Sequence, residues 1–96
     1  MWAGPLQLCR DTVEAATVAE DSIGMPLLAI KLKPELKDRL RLETEKRVGQ
    51  PMAVRLDGRI VSEPYVLEPI TGGEISLSGA TQPQVEAMRA ASGRPC

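Results

Sequence analysis

Hydrophobic and polar residues alternate most cleanly between Leu27 and Leu32, where Leu28, Ile30 and Leu32 share one side and Ala29 and Lys31 the other. A period of two predicts a strand with one buried face. The next pattern repeats every fourth residue: Leu36, Leu40, Thr44 and Val48 form one apolar stripe with charges elsewhere. It predicts a helix that Pro34 opens and Gly49 closes in a left-handed cap, with Pro51 blocking any continuation. Glu43 and Arg47 lie four apart on it, placed to pair. Upstream, Asp11 and Glu14 have capping-box spacing, and Val13, Ala15, Ala16, Val18 and Ala19 offer a small apolar side. That stretch predicts another helix, from Asp11 to about Asp21, ended by Gly24 and Pro26.

The stretch Val48–Gly79 holds the densest punctuation. Met52 to Leu56 reads as a strand, and Asp57-Gly58 as a two-residue type I′ hairpin turn, which needs positive φ at both central positions. In that register Leu56 faces Arg59, Val54 faces Val61 and Met52 faces Glu63. Met52, Val54, Leu56 and Val61 then point inward, with Ala53, Arg55 and Ser62 outward. Pro64 and Pro69 cannot donate to a ladder, so Glu63 to Ile70 is expected as an edge, a bulged extension or a loop. Thr71-Gly72-Gly73 forms a turn, Ile75 and Leu77 mark a short strand, and Gly79 closes it. Thr81 caps a last helix with Gln84 three residues on and Pro83 in the first turn; Val85, Met88 and Ala91/Ser92 form its buried side, and Gly93 and Pro95 end it.

The fold class predicted is α+β: a two-layer sandwich of a mainly antiparallel sheet of about four strands with helices on one face. Ninety-six residues make one domain, 1–96, with its core from about residue 10 to 92. With no Phe, one Tyr and one Trp, the interior is aliphatic and platforms for stacking bases are missing. Twelve basic and thirteen acidic residues leave a net charge of −1, and the basic residues of the middle region alternate with acids as on a solvated helix face. Nucleic acid is therefore not an expected partner. The longest apolar run, Met25 to Ile30, falls far short of the roughly 20 residues a membrane span needs. Met1 to Pro5 lacks the basic and apolar regions of a signal peptide, so the chain reads as cytoplasmic or as lacking a removed export signal.

Candidate chemistry is thin. Histidine is absent, which removes the commonest general base and zinc ligand, and neither a metal nor a cofactor is expected. Cys9 and Cys96 lie at opposite ends of the sequence, and free thiols near the termini are expected of them. Leu6-Gln7-Leu8-Cys9 has a faint likeness to a lipoprotein cleavage site, with too little sequence before it. Ser62, Ser76 and Ser78 read as solvent-facing strand residues without a base. Asp57 reads as turn chemistry, and Glu63, Glu68 and Glu74 as solubilising charge. Thr71-Gly72-Gly73-Glu74 lacks the context of a phosphate loop and sets an acid beside it. What remains is surface for a polypeptide: Tyr65, Val66, Leu67 and Ile70 either receive an extended peptide, by strand addition or in a groove, or cover the domain's own core.

The order of Thr44, Val48-Gly49, Leu56-Asp57-Gly58-Arg59, Pro64, Glu68-Pro69-Ile70-Thr71-Gly72-Gly73 and Ile75-Ser76-Leu77-Ser78-Gly79 resembles the head subdomain of the first periplasmic domain of SecD, an accessory subunit of Sec protein export. The likeness is strongest from about Leu27 to Gly79. Gly49, Asp57, Gly58, Pro64, Pro69, Gly72, Gly73 and Gly79 carry it as a structural signature of hairpin and loop. The resemblance implies an extracytoplasmic, non-enzymatic domain that contacts translocating polypeptide and works beside the Sec machinery. Its contact region is expected at Tyr65, Val66, Leu67, Ile70, Thr71, Gly72 and Gly73. Membrane helices that would couple motion to a proton gradient are not in this sequence. The helix before Thr44 offers Leu40 or Leu42 where the family usually has an aromatic residue. The alternatives are a small-ligand or enzymatic domain on the same fold, and a purely structural fragment.

Overall fold

The computed structural model describes residues 1–96. Seven strands and two α-helices follow one another: β1 (Trp2–Ala3), β2 (Leu6–Gln7), β3 (Val13–Glu20), β4 (Pro26–Leu32), α1 (Lys37–Glu45), β5 (Val54–Leu56), β6 (Arg59–Ser62), β7 (Glu74–Leu77) and α2 (Gln82–Ser92). A 3-10 turn, Pro34–Leu36, leads into α1. All pairings are antiparallel, in a four-stranded sheet ordered β2-β1-β5-β6 and a three-stranded sheet ordered β3-β4-β7. The α+β class read from the sequence holds, with the strands divided between two sheets.

The stretch expected as a first helix is strand β3. Beyond Glu14, Ala16 and Val18 face the core while Ala15, Thr17 and Ala19 face out, a period of two. The pairing with β4 slips between Val13 and Ala15, so Glu14 is bulged and the alternation breaks where a helix start was expected. β-branched Val13, Thr17 and Val18 suit an extended chain better than a helix. Asp21 closes the hairpin to β4 instead of ending a helix: its Oδ1 accepts from the Ile23 and Met25 amides at 3.0 and 2.9 Å, and Gly24 takes φ +82°.

Strand β4 is as read, with Leu28, Ile30 and Leu32 buried in the middle of its sheet. Helix α1 buries Leu40 and Thr44, and Gly49 adopts φ +85°. Val48, expected on the buried stripe, is exposed, because the helix ends at Glu45 and the chain turns away before the stripe's next position. Helix α2 carries the expected capping box: Thr81 Oγ1 accepts from the Gln84 amide, and the Gln84 side chain accepts from the Thr81 amide at 2.9 Å. It packs Val85, Met88 and Ala91 inward, against β3 and β4.

The hairpin turn has positive φ at both Asp57 (51°) and Gly58 (82°). Leu56 faces Arg59 as expected, but the ladder then slips between Val54 and Arg55. Val54 therefore opposes Ser62 instead of Val61, and Pro51 rather than Met52 bridges to the partner strand, at Tyr65. One extra residue turns Ser62 inward. Expected in solvent, it is buried, and its hydroxyl satisfies itself by donating to Ser78 O at 2.7 Å.

Both sheets and both helices contribute to one aliphatic core that includes Ala3, Leu6 and Leu8 from the first hairpin. The cysteines are not free. Cys9 and Cys96 form a disulfide across a sequence separation of 87, with their Cα atoms 5.4 Å apart. Thr12 fixes the Cys9 side of it: its Oγ1 accepts from the Cys9 amide and donates to Gln7 O. The Arg10 amide donates to Arg94 O at 2.8 Å, so the two ends run together.

Candidate functional site: an open groove beside strand β7

The segment from Glu63 to Gly73 is irregular, and each of its anchors has an identifiable cause. Pro64 has no N–H, but its carbonyl accepts from the Met52 amide at 2.8 Å. Val66 donates to Gln50 O and accepts from Gly49 at 2.9 and 2.8 Å. The segment is thus a bulged continuation of the β5–β6 hairpin. Val66 is drawn into the core, while Tyr65 and Leu67 on either side stand out at 59% and 79% exposure. The Tyr65 hydroxyl donates to Gly49 O at 2.7 Å, which lays the ring along the surface. Farther on, the Ile70 amide donates to Thr44 Oγ1 at 2.9 Å, tying the segment to α1.

Gly73 then returns the chain to the sheet at φ +73°, and its carbonyl accepts from the Leu32 amide at 2.9 Å. A Cβ at Gly73 would lie 2.8 Å from Cγ of Lys37, so both the left-handed conformation and the stem of Lys37 require glycine there. Gly72 has open space around it.

Between this segment and β7 lies a groove of about 240 Å³. Met52, Val66, Ile70 and Ile75 give it an apolar lining, Tyr65 and Leu67 stand at its mouth, and Glu68, Glu74 and Ser76 supply its polar groups. Of the residues expected at a contact region, Tyr65, Val66, Leu67 and Ile70 line the groove, and Thr71, Gly72 and Gly73 do not. The last three set the turn that brings β7 alongside. In the sequence Glu68, Glu74 and Ser76 read only as charge or strand surface. Their place in the groove follows from the fold, and an acid on each side of an interrupted strand was the one available signal.

The carboxyl of Glu43, on α1, is held below its ordinary range. The hydrogen bond from Arg47 Nη1 at 2.9 Å holds it low, against the opposing effect of partial burial, with help from Lys46 at 3.6 Å. A depressed carboxyl stabilises the fold while ionised. This contribution is complete above the unfolded glutamate value of about 4.3 and is lost as the pH falls through the lower folded value. Urea midpoints measured down an acid series are therefore expected to drop less steeply for Glu43→Gln than for the parent. Parallel slopes would show that the pair carries no linkage.

No group of three or more His, Cys, Asp or Glu is placed to hold a metal ion, and the disulfide takes up both thiols. The groove offers apolar side chains, main-chain groups and carboxylates.

Comparison with known proteins decides the family. The model for the SecDF P1 head subdomain matches residues 7–91. The chain belongs to the SecDF P1 head family. It is 30% identical over 79 residues to the protein translocase subunit SecD of Thermobaculum terrenum, covering 82% of this chain and 15% of that protein. The SecD of Dictyoglomus turgidum is 32% identical over 76 residues, 79% of this chain and 19% of the relative. The SecDF of Thermus thermophilus is 31% identical over 75 residues, 78% and 10% respectively. The P1 head chain thus spans less than a fifth of these relatives' lengths. Among solved structures, the crystal structure of SecDF in its super-membrane-facing form aligns with a TM-score of 0.74 and 26% identity, covering 86% of this chain and 12% of the other. A structure described as a membrane component SecDF that enhances protein export shares the fold at the same TM-score. The resemblance read from the Asp57-Gly58 and Thr71-Gly72-Gly73 motifs is thereby borne out for family and fold.

Proposed function

We propose that this P1 head-like domain is a non-enzymatic module that contacts exported polypeptide, acting outside the cytoplasm beside Sec machinery. The observation that carries the reading is the groove: it is open and apolar, with Tyr65 and Leu67 exposed at its mouth, in a chain of a family whose relatives are protein translocase subunits. Unfolded polypeptide presents apolar side chains and unpaired backbone together, and this surface offers partners for both. The Cys9–Cys96 disulfide supports an oxidising, extracytoplasmic setting, where such bonds persist. No helix is long and apolar enough to cross a membrane, so proton-driven movement is not assigned to this chain.

The test is site-specific photo-cross-linking to an unfolded exported precursor. A probe replacing Leu67 is expected to label the precursor, and a probe replacing Ile23 in the remote β3–β4 turn is expected to label it far less. Absence of labelling at Leu67, under conditions where a SecD head control labels, overturns the reading.

A further inference from the structure

We infer that the groove takes its polypeptide as an added strand on the free edge of β7, and that the preferred segment is extended, β-branched and flanked by Lys or Arg. The inference rests on the polypeptide-binding reading above and specifies its geometry. Strand β7 ends its sheet, with β4 on one side only. Its ladder begins with the Leu32 amide donating to Gly73 O, and Ile75 and Leu77 then oppose Ile30 and Leu28. In an antiparallel ladder the main-chain groups of alternate residues point to opposite sides. Those of Gly73, Ile75 and Leu77 therefore face β4, and those of Glu74 and Ser76 face the groove.

The opposite wall repeats the arrangement. Pro64 and Val66 use their main-chain groups on Met52, Gln50 and Gly49, which turns the N–H and C=O of the intervening Tyr65 away from that pairing, and they have no backbone partner. Two interrupted ladders thus flank one groove. Natural edges are commonly blunted by proline, inward-pointing charge or a covering element. The sequence Glu74-Ile75-Ser76-Leu77 has no proline, and nothing pairs with its outer edge.

Charge selects among extended chains. Glu68 and Glu74 line the groove, and neither is in an ion pair; Lys31, beside Glu74 in the ladder, is engaged instead with Glu14 at 3.5 Å. A segment with basic residues next to its apolar ones would meet both carboxylates, whereas an acidic segment would be repelled.

The probe is a fluorescent peptide of alternating threonine and valine with a lysine at each end, titrated into the intact disulfide-bonded chain by anisotropy. Two further peptides carry N-methyl groups on one or the other alternate set of residues. One set is expected to weaken binding by about tenfold or more, because it removes the donors to β7, while the other set weakens it less. Amide hydrogen exchange at Glu74 and Ser76 should slow in the complex, and the Glu68→Gln/Glu74→Gln double variant should bind several-fold more weakly. Equal binding of both methylated peptides, unchanged exchange at Glu74 and Ser76, or self-association of the chain through this edge in place of peptide binding overturns the inference. If Leu67 still cross-links unfolded precursor in any of those cases, the strand geometry fails while the general binding reading stands.

Discussion

Opening the Cys9–Cys96 disulfide lowers the stability of the domain by about 4 kcal/mol, the largest effect expected of any change confined to two side chains. The bond spans a sequence separation of 87. Closing a loop of that size removes conformational freedom mainly from the unfolded chain, and native disulfides in small domains are worth about 2–5 kcal/mol. At about 4–8 °C per kcal/mol for a domain of this size, the melting temperature should fall by roughly 15–30 °C. Circular-dichroism melts of the oxidised chain, the reduced chain and a Cys9→Ala/Cys96→Ala double variant provide the measurement, and the last two should coincide. A shift of only a few degrees would mean that the hydrogen bond from the Arg10 amide to Arg94 O, with the packing around it, already holds the two ends together without the disulfide.

Thr44→Val should cost about 2–3 kcal/mol although it preserves shape. Thr44 is fully buried, and its Oγ1 works in both directions: it donates to Leu40 O at 2.8 Å and accepts from the Ile70 amide at 2.9 Å. Valine fills the same space but leaves the Ile70 amide without an acceptor beneath the groove. Thr44→Ser keeps the hydroxyl, loses a methyl group and should cost about 1 kcal/mol, mostly through packing. Urea unfolding ranks the variants, and amide exchange at Ile70 separates the causes. Faster exchange in Thr44→Val than in Thr44→Ser is expected, and equal exchange would assign the loss to the helix alone.

Much of this fold was legible because its punctuation is local. Gly49 takes the left-handed conformation, Asp57-Gly58 makes the hairpin turn, Thr81 and Gln84 form their box, and Leu28, Ile30 and Leu32 face inward. The two misplaced strand faces share a cause, a single inserted residue. Glu14 bulges from β3 and hides a period of two behind small residues that also suit a helix, and the slip beside Val54 carries Ser62 from the outer face to the inner one. Such insertions answer to the partner strand and leave no mark on the strand that bears them. The disulfide escaped for a different reason: nothing near Cys9 or Cys96 in sequence announces that α2 and the first hairpin end side by side. For the groove, the exposed wall of Tyr65 and Leu67 was legible. The opposite wall was not, because placing β7 there requires knowing that the two sheets stay separate.

The meeting of the two ends has a mechanical consequence. With Cys9 and Cys96 held at a Cα distance of 5.4 Å, the Arg10 amide bonded to Arg94 beside them and the Leu8 amide donating to Met1 O at 2.7 Å, both ends of the chain lie close to one small patch. A body attached at one patch can swing as a rigid unit while its interior stays undistorted. A load on the free edge of β7 would then act as a torque on the whole domain about that one patch.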